Sequence, residues 1–376
     1  MGILQEDVVI ISHPDPNKPN DPTIITVNCP DKIGLGCDLC RLILCFRLTI
    51  LRVDVSTDGK WCYILFWVTG NESTRWSLLK KRLIEVSPSC SSASGIAFYK
   101  SEPPLDPPDV FLLKFFCHDN RHGLLHDVTV VLCELELVIK RLKISTTPEG
   151  RMVDLFFVTD TRGLLYTKKG QEETIKHLKD TLGTAIVTCE IEMVGPEIAA
   201  CSTRTTSFLP PAIVDQFVSQ NNESISISMD NSLSSSHTLV QIVCQDHKGL
   251  LYDITRTLKD YSIQISHGRF MKKKIKKKKN GDTCEVDLFI LQSEGQKKIV
   301  EYRLHEELMC PIRVAVVSRG PDTELLVANP VELLSGKGRP LVFHDITLAL
   351  KLLNTGIFSV CSIHSYISQV NIINDI

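Results

Sequence analysis

The chain has 376 residues, 43% of them apolar and 23% charged, with a net charge of −2. That length exceeds one average domain and allows several buried cores. The near balance of charge excludes the global basicity of a protein built to grip nucleic acid or an anionic membrane, and the most apolar stretch, 35–55, is cut by Arg41, Arg47 and Arg52, which excludes a membrane span there.

Residues 1–20 read as an N-terminal segment. "MGILQEDVVIISHPDPNK" has no basic n-region and only a short apolar run, so no secretory signal is expected. Glu6 stands where a myristoylation motif behind Gly2 wants Ser or Thr. The fourteen cysteines are therefore expected reduced, in the cytoplasm. Cys37 and Cys40 form a C-x-x-C inside a helical pattern, with no second pair at zinc spacing. Cys29, Cys117 and Cys244 recur at one point, just before a turn, as buried small residues at a strand end would. Neither a metal nor a cofactor is expected.

The organising signal is an internal repeat. "CPDKIGLGCDL" at 29–39 returns as "CQDHKGLLYDI" at 244–254. Alignment on Gly-x-x-x-Asp gives Gly34/Asp38, Gly123/Asp127 and Gly249/Asp253, with a weaker fourth copy centred on Asp345. The first copy spans 21–100 and a Pro-rich connector, "SEPPLDPPD", covers 101–109. The second copy spans 110–195. A Ser- and Asn-rich segment, 196–237, reads as a flexible linker. The third copy is 238–320, with a Lys-rich hairpin insert at 272–280, and an incomplete fourth copy fills 321–376.

Copy two carries strand at 110–117, helix at 123–135, strands at 137–145 and 151–158, helix at 171–182 and strand at 185–194. Copy three repeats that order, ending on "PIRVAVV" at 311–317, and copy one has "WCYILFWV" as its third strand. Val-Asp-Leu-Phe recurs at 153–156 and 286–289, placed in the same third strand. The order βαββαβ predicts an α+β, ferredoxin-like fold: an antiparallel sheet with both helices on one face. The open face and edges call for pairing between modules, expected as one with two and three with four or with another chain, so self-association is anticipated. From Glu324 onward, strand, helix and one more strand are expected, and "SYISQVNIINDI" matches nothing in the other copies, as in a splice form or a truncated gene model.

Each repeated turn runs from a strand through Asp and Gly into an amphipathic helix. First-turn N–H groups lack intrahelical partners and sit at the positive end of the helix dipole. A glycine there lets a ligand carboxylate approach the backbone, and an adjacent side chain can take an ammonium. The plainer reading, that Asp31, Asp119 and Asp246 cap the helix while Gly eases the turn, stays open.

The repeats, with "PDKIGLG" (30–36), "HDNRHGLL" (118–125) and "QDHKGLL" (245–251), resemble ACT domains. With "GRF" at 268–270 and "ELLVANPVELLSGKGRP" at 324–340, the whole chain resembles the plant ACR proteins, which are built of four ACT repeats. The resemblance implies a non-catalytic regulatory protein that binds a free amino acid between paired modules, at the strand-one/helix-one turn, and signals through a partner protein. It carries the binding role onto Asp119, Asn120 and Gly123, where His122 replaces the usual Pro, then onto Asp31 and Gly34, and Asp246 and Gly249. Leu341 stands at the glycine position of copy four, which implies a structural role there. Glutamine is the expected ligand, by analogy with regulators of nitrogen metabolism.

An enzyme is not expected: no phosphate, dinucleotide, zincin or nucleophile-elbow motif is present. "GLGCD" lacks the third glycine of a dinucleotide turn, and His118, His122 and His126 do not share one helix face. A ligand-free interaction scaffold is the main alternative. A nucleic-acid module with the same strand order is the other, but "VDLFFV" and "VDLFIL" lack the RNA-stacking pattern. "KKKIKKKKN", with seven lysines, reads as a solvated loop, with nuclear import or polyanion contact as alternatives.

Overall fold

The computed structural model describes residues 7–18, 21–88, 109–117, 124–146, 152–183, 186–194, 225–234, 236–273, 283–291, 297–309, 312–319, 322–328, 332, 338–353, 356–364 and 367–373. In chain order the elements are β1 (Val9–Ser12), β2 (Thr23–Pro30), α1 (Leu35–Cys45), β3 (Thr49–Thr57), β4 (Trp61–Thr69), α2 (Trp76–Val86), β5 (Val110–Cys117), α3 (Leu124–Glu134), β6 (Leu137–Thr146), β7 (Met152–Asp160), α4 (Lys168–Leu182) and β8 (Ile186–Val194). They continue as β9 (Ser226–Asp230), β10 (His237–Gln245), α5 (Leu250–Asp260), β11 (Ile265–Lys273), β12 (Thr283–Leu291), α6 (Lys297–Met309), β13 (Arg313–Arg319), β14 (Asp322–Ala328), α7 (Val342–Leu352), β15 (Gly356–His364) and β16 (Ile367–Ile373).

The chain divides into two units: 1–101 with 221–311 and 332–334, and 102–220 with 312–331 and 335–376. Each holds one eight-stranded antiparallel sheet, ordered β1-β2-β4-β3-β11-β12-β10-β9 in the first and β13-β14-β16-β15-β6-β7-β5-β8 in the second. The α+β, ferredoxin-like class is therefore as expected. The strands form because apolar residues alternate: Thr23, Ile25, Val27 and Cys29 of β2 are buried while Ile24, Thr26 and Asn28 are half-buried. In the second unit Phe111, Leu113, Phe115, Phe156 and Val158 of the sheet pack with Val128, Leu178 and Leu182 of α3 and α4.

Pairing corrects the expected arrangement. Module one joins module three through β3 and β11, with His267 opposite Ser56 and Phe270 opposite Val53. Module two joins module four through β6 and β15. In each case the second strand, whose outer edge a lone module would leave unpaired, finds the second strand of a module two places along. Side-chain complementarity selects that partner in the first unit. Asp31 accepts from Gln264, Asp38 from Lys259, and Asp54 lies 3.5 Å from Arg269.

Three further boundaries shift. β13, expected to close module three, pairs with β14 instead; only two residues separate them, and so short a link dictates an antiparallel hairpin. The vacant place beside β10 goes to β9, which lies inside the expected linker, and β1 of the N-terminal segment fills the matching place beside β2. The last stretch of the chain forms β16, a third strand between β14 and β15, so the sheet of module four has four strands.

The Val-Asp-Leu-Phe repeat is out of step by one residue. Cys244 faces Cys284 and Cys117 faces Met152, so Asp154 is equivalent to Val286 and to Ile64, not to Asp287. A one-residue offset reverses the face. Asp154 is buried on the helix side, while Asp287 accepts from the exposed Gln241 on the other. Other features do keep the repeat: Arg47, Glu136 and Ser262 all adopt positive φ two residues beyond the first helix, and each second strand carries a bulge at its start.

A cleft at the joint of modules one and three

Gly34 precedes α1 in the left-handed region, with φ of 81°, and no side chain caps the helix. Asp31 is thus not a cap. Its Oδ2 accepts from Thr57 Oγ1 at 2.8 Å and from Gln264 Nε2 at 3.0 Å, and its Oδ1 has no hydrogen bond among the described residues. Of the first-turn amides, Leu35 N–H turns back to Lys32 O and Asp38 N–H to Gly34 O. Those of Gly36 and Cys37 have no backbone acceptor among the described residues.

Asp31, Gly34, Gly36 and Cys37 form one wall of a cleft, and Leu258, Lys259, Gln264 and Gly268 of module three help form the other. It holds about 70 Å³ open to the centres of water molecules, several times the roughly 10–15 Å³ that a single water needs. Gly34 is not open to space on every side: a Cβ there would meet the Lys259 stem at 2.7 Å.

Lys259 closes α5, a helix buried on almost every side. Its Nζ donates to Asp38 Oδ1 at 2.8 Å and to Glu332 Oε2 at 3.0 Å. Glu332 also accepts from Tyr252 O–H at 3.2 Å, and Arg41 Nε lies 3.6 Å away. Burial alone would lower the Lys259 pKa, but Asp38 and Glu332 outweigh it and hold the ammonium above the ordinary lysine value. Burial would likewise raise Asp38, and Lys259 and Lys32 reverse that, leaving it below the ordinary carboxylate value. Burial pushes the Cys40 thiol up to about 12, and burial then Glu332 push Cys37 well up, so both are protonated thiols.

Asp31 and Gly34 both line this cleft. Asp246 and Gly249 are not part of this cleft: Gly249 repeats the left-handed turn with φ of 88°, and the Leu250 amide turns back to His247 O as that of Leu35 does to Lys32 O, but Asp246 pairs with Lys272 at 2.7 Å. Asp119, Asn120 and Gly123, with His118 and His122, lie outside the described residues, as do residues 274–280 of the Lys-rich run. The two described lysines of that run are both paired, Lys272 with Asp246 and Lys273 with Glu285. Sequence reasoning missed Lys259, Gln264, Thr57 and Glu332. The one available signal was the concentration of charge inside the apolar pattern of α5. Among the described residues no helix is long and apolar enough to cross a membrane.

βαββ modules joined second strand to second strand, with a cleft under the strand-one/helix-one turn, define a chain of ACT-type regulatory modules. Family profiles agree: "ACT domain-containing protein ACR10, N-terminal" matches 13–88, "ACR9-like, ACT-like domain" matches 226–322, and "ACT domain-containing protein ACR9, C-terminal" matches 323–370. The chain is 56% identical to the ACT domain-containing protein ACR10 of Arabidopsis thaliana, covering 96% of this chain and 89% of that one. It is 50% identical to ACR9 of the same plant, covering 96% and 88%. The chain belongs to this ACR9/ACR10 family of plant ACT-repeat proteins. Among solved structures, the regulatory subunit of aspartate kinase from Thermus flavus aligns at 11% identity and a TM-score of 0.18, covering 54% of this chain and 94% of that one.

Proposed function

We propose that the chain is a non-catalytic sensor that binds a free amino acid in the cleft between modules one and three and reports it to a partner protein. The observation that carries this reading is Asp31 Oδ1, a carboxylate oxygen without a hydrogen bond among the described residues, at a cleft that Gly36 and Cys37 of the first helical turn also line. An α-carboxylate suits the positive end of α1, and an α-ammonium suits Asp31. The ligand touches both modules, so it favours one relative arrangement of them, the requirement for any ligand that shifts an equilibrium.

One observation favours a ligand-free scaffold: the Lys259 stem already lies across Gly34. Calorimetric titration with a panel of free amino acids separates the two. Saturable binding at one per chain in this cleft, weakened at least about tenfold in Asp31→Asn, is the expected result. Asn keeps the oxygen that Thr57 and Gln264 use, so the variant folds. Silence across the panel leaves the scaffold.

A further inference from the structure

The turn accounts for the ligand's carboxylate and ammonium, and the rest of the cleft accounts for its side chain. The floor is the β3–β11 joint itself, where Val53 faces Phe270 and Val55 faces Gly268. Around that seam stand Ile64, Phe66, Leu258 and Leu288, each no more than 4% exposed. The polar groups that reach this depth are already satisfied or weak. Thr255 donates to Leu251 O at 2.8 Å, and burial holds the Cys62 thiol protonated well above its ordinary value. Gln264 is turned to Asp31 at the mouth. A side-chain amide or charge carried into this floor would leave hydrogen bonds unmade.

The floor also has a glycine. Gly268 sits within β11, and a Cβ there would meet Leu288 Cδ2 at 2.7 Å. A glycine inside a strand weakens the strand and often marks a place where another group approaches the backbone. Here the Leu288 side chain takes the place a Cβ would fill, so the apolar floor packs directly onto the strand backbone. Module two makes a different choice at the corresponding point of its third strand: Asp154 replaces Ile64.

We propose that this cleft selects an amino acid with an uncharged aliphatic side chain, of the valine, isoleucine, leucine or methionine class, and discriminates against glutamine, the apolar floor at Val53, Ile64, Phe66, Phe270 and Leu288, with Leu288 seated on Gly268, being the determinant. This rests on the amino-acid-binding reading above and specifies its ligand class.

The test is isothermal titration of the full chain with leucine, isoleucine, valine, methionine, glutamine, lysine and aspartate, repeated on Gly268→Ala. The added methyl displaces the flexible tip of Leu288 into the cleft and stands at an ordinary 3.7 Å from Asp287 O and Ile265 Cγ2, so the variant folds; its melting curve is recorded alongside. An aliphatic amino acid is expected to bind at least about tenfold more tightly than glutamine. Gly268→Ala is expected to weaken leucine and methionine at least tenfold, and valine less. Two results overturn the assignment while amino-acid binding stands: glutamine, lysine or aspartate binding as tightly as the aliphatic ligands, or aliphatic binding indifferent to Gly268→Ala. Silence across the whole panel overturns the amino-acid reading itself, and this inference with it.

Discussion

Asp154 and Lys259 show two fates for a buried charge. Asp154 has Phe115 and Ile144 as its strand neighbours, its Oδ1 has no hydrogen bond among the described residues, and burial lifts its pKa to about 6. A folded-state value above the ordinary 3.8 means the folded form binds the proton more tightly. The Asp154 contribution to stability is therefore most favourable below pH 3.8, falls as pH rises through about 6, and is level above. The difference is on the order of 3 kcal/mol at pH 7.5. Asp154→Asn should stabilise the fold by up to about that amount at pH 7.5 and hardly at pH 3.5, read by denaturant melts at both; equal effects at the two values would refute it. Lys259 has partners instead. Lys259→Met leaves two buried carboxylates short of a cation and should cost about 3–5 kcal/mol, measured in urea at neutral pH. Asp38, held below its ordinary value, adds stability that is present above pH 3.8 and lost as pH falls through its lower folded value. The acid limb should therefore flatten in Lys259→Met. Leu341 keeps the repeat in the fourth copy: it holds φ of 66°, the glycine conformation, with its side chain buried. The leucine tolerates a conformation that costs roughly 1–2 kcal/mol, and its side chain stands where the other turns have none.

At the scale of elements, the βαββ core of the first three copies lies where the period-2 and period-3.6 patterns put it, because one buried face fixes each period. The edge strands did not show themselves. β9 alternates exposed and half-buried residues among serines, and its polar composition reads as linker until β10 supplies the ladder. β13 reads as the end of module three by order along the chain, yet a two-residue link to β14 outweighs order. α1 offers a test of local propensity. Gly36 lies in its first turn, and a Cβ there would meet Thr255 Cγ2 at an ordinary 3.9 Å. Gly36→Ala should therefore stabilise the protein by about 0.5–1 kcal/mol in thermal or urea melts; a loss of stability would show that the space is tighter than this.

At the scale of the molecule, modules one and three share a continuous sheet although more than a hundred residues separate them in the chain. After cleavage at specific protease sites inserted within 89–108 and 195–224, the module-one fragment should stay with module three at one to one in native mass spectrometry. Recovery of module one alone, or with module two in place of three, would contradict the β3–β11 joint. The sequence by itself determined the repeat, the module fold, the family and the turn with Asp31 and Gly34, since all of these are written in contacts between near neighbours and in periods along one segment. Only the tertiary structure decided which modules pair, which strand closes which sheet, and that Lys259, held by Glu332, and Gln264 complete the cleft. Those outcomes depend on matching edges and opposite charges brought together from distant parts of the chain. A charged residue on a helix looks the same in sequence whether it faces water or a buried carboxylate.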